Sequence, residues 1–193
     1  MATYLATITA VQSIFRRPEY DDLARRKINA AIRTISASAA FPQDLEEVSY
    51  TSELTAGALE QHLTLPDRTR KVDYVSDPAR EDARIVLQST GWVLHNPTVR
   101  DIAYVAGNTL HMRLRVAPTT LLVGVYTHPA ALEADEDTNW VLDTMQEVVI
   151  DMAVSYCFTF IGETELAARN IAMANQQLQA IALDLTAQRY GSV

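Results

Sequence analysis

The chain has 193 residues, 48% of them hydrophobic, one cysteine and a formal net charge of −8. That length buries a substantial core without covalent staples, and the lone Cys157 excludes an intramolecular disulfide and a cysteine-based zinc site, which suits a reducing compartment. Charge is segregated: residues 1–40 carry six basic and three acidic groups, 41–130 eight and eleven, and 131–193 two and ten, so the acidic last third argues against duplex binding there and offers a surface to a basic segment of the same or another copy.

From the N-terminus, Tyr4, Ile8, Val11 and Phe15 recur at helical spacing, although Thr3, Thr7 and Thr9 leave a strand open. The first arginines follow this apolar stretch instead of preceding it, the reverse of a signal peptide, so a soluble product without a targeting segment is expected. Pro18 with Glu19, Asp21 and Asp22 reads as a helix start. Ala24, Ile28, Ala31 and Ile35 mark the buried seam of that helix, with Arg25, Arg26, Lys27 and Arg33 largely off it, and 36–42 ends it.

The period then changes from about 3.6 to 2. Leu110, Met112, Leu114 and Val116 alternate with His111, Arg113 and Arg115, and Gly107-Asn108 before them is a hairpin signal. "LLVGVYT" reads as a further strand; "EEVSYTSE", "RKVDYV" and "RIVLQ" are weaker ones, while 56–69 and 91–100 read as outward-reaching loops.

Helical spacing returns after "ADEDTNW". Leu142, Met145, Val149, Met152, Tyr156 and Phe160 form one stripe, widened by Val141, Val148, Ala153 and Ile161 to more than half the circumference. The apolar run 149–163 is too short and too interrupted for a membrane span, which needs about 20 residues. Gly162 stops the helix, and Ala167, Ile171, Ala174, Leu178, Ile181 and Leu185 form the seam of a second one. Helices over 139–161 and 164–188 should pair antiparallel, burying Met152, Tyr156, Leu178 and Ile181. A helix apolar on more than half its surface needs two partners, so the N-terminal helices, the β-region or another subunit must cover the rest.

The expected fold is α+β, mainly α: residues 1–42 and 131–193 form one helical bundle, and 43–130 a mainly antiparallel β-region inserted in it. No catalytic, cofactor or metal site is expected. The chain lacks a phosphate-cradling glycine loop and a nucleophile elbow, and His62, His95, His111 and His128 have no ligand spacing. The acids of "EADEDTN" lack a calcium loop's glycine and terminal glutamate, so they read as helix N-terminal charge. Asp151 could serve as a base but has no visible partner. Trp92 and Trp140 suit core or subunit contacts, and "LPDRTRKVDYV" a mixed-sign strand edge.

Taken in order, "RRPEYDDLARRKINAAIRTISASAAFPQDLEEVSY", "LPDRTRKVDYV", the β-region and "NWVLDTMQEVVIDMAVSYCFTFIGETELAARNIAMANQQLQ" resemble the head-to-tail adaptor proteins of tailed bacteriophages, and within them the connector or tubular-tail proteins. The resemblance implies a virion structural protein without catalytic residues, made in the host cytoplasm. It implies a ring of about twelve copies whose members pack side by side. The ring would join the portal protein to the tail nozzle or tube and let DNA through without sequence-specific binding, with no membrane partner. A β-region would face outward or tailward, and a C-terminal tail would dock on the portal; here that tail is the short "AQRYGSV". Candidate partner contacts are Gln188, Arg189 and Tyr190 on the tail and Arg25, Arg26, Lys27 and Arg33 on the basic helix. The alternatives are another phage neck ring, such as a tail terminator or head-completion protein, and a monomeric helical small-molecule-binding domain or enzyme.

Overall fold

The computed structural model describes residues 2–80 and 84–190; the side chains of residues 84, 182 and 184–190 lie outside the described set. In chain order the elements are α1 (Tyr4–Phe15), α2 (Asp21–Ser38), β1 (Leu45–Tyr50), β2 (Glu60–Thr64), β3 (Thr69–Ser76), β4 (Arg84–Leu87), α3 (Thr90–His95), β5 (Ile102–Ala106), β6 (Thr109–Arg113), β7 (Leu121–Thr127), α4 (Trp140–Phe160) and α5 (Thr164–Tyr190). They divide into two compact units, Met1–Gln43 with Pro129–Val193, and Asp44–His128.

In the helical unit, the Thr3 hydroxyl caps α1 by accepting the Ala6 N–H. The first amides of α1 are satisfied from the acidic segment: Tyr4 N–H donates to the Asp137 carbonyl and Leu5 N–H to that of Asp135. Pro18–Tyr20 forms a 3-10 turn before α2. Asn139 caps α4, its side-chain oxygen accepting from the N–H groups of Val141 and Leu142, and the helix is interrupted at Met145 (φ −135°, ψ 32°).

Helix α4 is central, and three hydrogen bonds show what surrounds it. Gln146 donates to Thr7 of α1 at 3.2 Å, Ser155 to the Ala167 carbonyl of α5 at 2.8 Å, and Tyr156 to Thr34 of α2 at 3.2 Å. Its excess apolar surface is therefore buried on three sides within its own unit. Met152 is buried, whereas Tyr156, Leu178 and Ile181 are half-buried at the margin of the core and Phe160 is exposed.

The β unit corrects the expectation of a mainly helical bundle carrying a small inserted region. Its seven strands form a curled, mixed sheet in the order β1-β7-β3-β4-β5-β6-β2. Every pairing is antiparallel except β4 with β5. The sheet has its own core, built around Leu63, Val75, Leu110, Met112, Leu121, Val123 and Val125.

Two segments expected as loops carry this difference. Strand β2 lies in the first, and its inward positions are Gln61 and Leu63. The buried Gln61 amide receives the Thr55 N–H and donates to the carbonyls of Thr55 and Ala58, so a polar residue occupies a core position with its hydrogen bonds met. Helix α3 lies in the second, capped by Ser89. It forms part of the crossover that makes β4 and β5 parallel, a pairing that no hairpin can close. Strand β3, read as an edge, runs between β7 and β4. At Gly107 (φ 62°) the two-residue turn joins β5 to β6.

Candidate functional site

Most polar clusters in the described residues have structural uses. Asp137 accepts from the N–H groups of Glu133 and Ala134 at 2.8 and 2.9 Å, which holds its carboxyl below the usual range and closes a turn in "EADEDTN". Among the described residues no group of three or more potential ligands could hold a metal ion. Burial pushes the Cys157 thiol up to about 11, far from a reactive thiolate. Trp140 packs against Phe41 at 5.0 Å, while Trp92 on α3 is partly exposed.

In the β unit, the imidazoles of His62 and His111 face each other across β2 and β6, Nδ1 to Nδ1 at 2.7 Å, with Tyr104 stacked on His111. Burial and the neighbouring His62 hold His111 below the usual histidine range. Across this contact one ring nitrogen donates and the other accepts. Asp101, in the left-handed region (φ 55°), accepts the Arg115 N–H and lies 3.7 Å from Arg80 and 3.4 Å from the Arg115 guanidinium.

The basic helix divides its cations between inside and outside. Arg25 is turned inward, paired to Asp21 at 2.7 Å and Asp135 at 2.8 Å with its guanidinium over the Tyr4 ring. Lys27 is half-buried and acts electrostatically on the Cys157 thiol. Arg26 and Arg33 are exposed, and among the described residues neither forms an ion pair. With Ala30 and Ala37 they line the outward face of α2, opposite the seam that packs on the core.

A second surface is a groove floored by α4 and walled by α1 and α5. One end, about 840 Å³, includes Asp143, Glu147, Ala6 and Ala180; the other, about 620 Å³, includes Ile14, Asp151, Leu166 and Met173, with Arg16 and Arg169 beside them. Ile14, Leu166 and Met173 are 45%, 42% and 42% exposed, an apolar lining left uncovered. Asp143, Glu147 and Asp151 follow one another at four-residue spacing along the floor, and among the described residues none has a cationic partner. Burial, with Glu147 adding to it, pushes the Asp151 carboxyl above its ordinary range. The sequence reading missed this groove. The four-residue recurrence of the three acids was its signal, and of the three only Asp151 was weighed, by itself.

Gln188, Arg189 and Tyr190 are the last residues of α5, whose backbone stays helical to Tyr190 where a short tail was expected; their side chains lie outside the described set. Residues 2–193 match the family described as SU10 adaptor protein. No curated protein matches the chain. With nearly its whole length covered by that match, the chain belongs to the SU10 adaptor protein family.

Proposed function

We propose that this protein is a ring-forming head-to-tail adaptor of a tailed phage, of the connector or tubular-tail kind, with a structural role and no catalytic step. The family match over residues 2–193 carries the reading. In it about twelve copies close a ring by repeating one heterologous contact. The ring joins the portal protein to the tail nozzle or tube, and DNA passes through without sequence-specific binding. The C-terminal segment with Gln188, Arg189 and Tyr190 is the element that meets the portal.

One observation supports a ring subunit over a solitary one. The unit presents two unlike surfaces, an arginine-bearing face on α2 and an acid-floored groove on α4, and among the described residues Arg26, Arg33 and the three floor acids form no ion pair. The test is an electron cryomicroscopy reconstruction of the particle's neck with this chain traced in it. A ring of this chain between portal and tail is the expected result; a particle whose neck lacks the chain overturns the reading.

A further inference from the structure

Around α4 the order of neighbours can be read from its side chains. At about 100° per residue, Tyr156 points about 180° away from Glu147, while Asp151 and Phe158 point within about 40° of it. Tyr156 meets α2. Glu147, Asp151 and Phe158 line the groove. The groove and α2 therefore lie on opposite sides of α4, the arrangement a heterologous contact needs if it is to repeat from copy to copy.

We propose that the groove between α1 and α5 receives helix α2 of a second copy, with Arg26 and Arg33 of one subunit set against Asp143, Glu147 and Asp151 of the next. This rests on the ring reading above and names the surfaces that would form the ring.

Direction, charge order and shape all fit this occupant. Within one subunit α2 runs antiparallel to α4: Tyr20, just before α2, meets Phe160 at 6.2 Å, and Phe41, just after it, meets Trp140 at 5.0 Å. A neighbour related by a small rotation presents its α2 in nearly the same direction. Its outward face then offers Asp22, Arg26 and Arg33 in that order, negative, positive, positive. Read in the opposing direction, the groove offers Arg16 and Arg169, then Asp151 and Glu147, then Asp143, positive followed by negative. The seven residues from Arg26 to Arg33 span about 10 Å and the four from Glu147 to Asp151, beyond the interruption at Met145, about 6 Å, so one arginine reaches this pair while the other stands toward Asp143. Ala30 and Ala37 allow close approach of α2, and Ala6 and Ala180 leave room for it.

The experiment compares three preparations of the full chain by light scattering over a range of protein and salt concentrations. They are the wild type, an Asp143→Lys/Glu147→Lys variant and an Arg26→Glu/Arg33→Glu variant. All four positions are exposed, and circular dichroism checks that the variants fold. The expected result is wild-type assembly beyond a dimer, weakened by salt. Each double variant alone should associate at least tenfold more weakly, and an equimolar mixture of the two should recover assembly, because each then supplies the surface the other lacks. Wild-type-like assembly by both variants overturns the proposed contact while leaving the ring reading intact. A wild type that halts at a dimer overturns the head-to-tail contact, and one that stays monomeric at every concentration overturns both contact and ring.

Discussion

The Arg25 guanidinium lies 2.8 Å from the Asp135 carboxylate and ties the second helix to the acidic segment that precedes α4. The same guanidinium pairs with Asp21 at 2.7 Å and covers the Tyr4 ring, while the Tyr4 hydroxyl donates to the Arg25 carbonyl. Because Asp135 and Asp137 also supply the carbonyls that receive the first amides of α1, this small network fixes where three segments meet.

Breaking that network should cost little per pair and more at its centre. Both carboxylates are about half exposed, so Asp135→Asn should lower stability by about 0–1 kcal/mol. Arg25→Ala removes two ion pairs and the stacked guanidinium together, and should cost about 1–2 kcal/mol. Urea unfolding of the two variants checks the ranking. Equal stability of Arg25→Ala and wild type would show that solvent already screens the network.

Ala174 is fully buried, and α5 packs on α4 around it and Ala167. Enlarging it must separate the helices or displace Ser155 from the Ala167 carbonyl. Ala174→Leu should therefore cost about 1–3 kcal/mol, visible as a lower Tm. The matching change at exposed Ala172 should be nearly silent.

In the β unit, the Tyr74 ring lies over Gly124, where a Cβ would come within 2.2 Å of the ring. The Tyr74 hydroxyl donates to the Glu47 carboxylate. Gly124→Ala should force the ring away and destabilise the unit; Tyr74→Ala in the same chain should relieve much of the loss, a non-additivity that a double-mutant cycle measures.

The same bond makes a pH prediction. Hydrogen bonding to Glu47 is the main cause that pushes the Tyr74 phenol up to about 12, from an ordinary value of 10.0. A raised folded-state pKa contributes stability that is complete below 10.0 and is lost as pH rises through about 12. Absorbance titration of wild type and Glu47→Gln should show one tyrosine moving down toward 10.0 in the variant. An unchanged titration would mean that another group holds the phenol.

Deleting residues 187–193 tests the portal-docking role of the C-terminus. The Ala167 and Ala174 contacts lie outside the deleted stretch, so the subunit should keep its fold and Tm. If Arg189 and Tyr190 anchor on the portal, the truncated protein should give DNA-filled heads without tails. Infectious tailed particles would place the docking element elsewhere.

Local chemistry made the helices legible from the residues alone. Asn139 is a capping side chain, Pro18 and Gly162 mark a start and a stop, and apolar residues recur at helical spacing, whereas the Thr3 cap of α1 emerged only in the fold. The hairpin at Gly107-Asn108 was legible because its turn needs a positive φ at Gly107, which glycine adopts without strain. The identity of the partners that bury α4, by contrast, lies in long-range packing. An over-apolar helix announces that it will be surrounded without saying by what, and the fold places α1, α2 and α5 there.

The seven-stranded sheet was not legible for a related reason. Gln61 occupies a core position because the turn just before it, at Thr55 and Ala58, satisfies its amide, so a polar residue breaks the alternation that would mark β2; β4 pairs parallel with β5 because a crossover returns the chain, which leaves no periodic trace. The groove follows the same rule. Asp143, Glu147 and Asp151 recur at four-residue spacing, but the helix is interrupted at Met145 between the first two, and only the placement of α1 and α5 turned these acids into the floor of a groove, while only the packing of α2 across α4 put Arg26 and Arg33 on the opposite side. Capping and spacing act between residues a few positions apart and can be read along the chain. Which surfaces meet depends on burial shared among segments far apart in sequence, and that was decided when the chain packed.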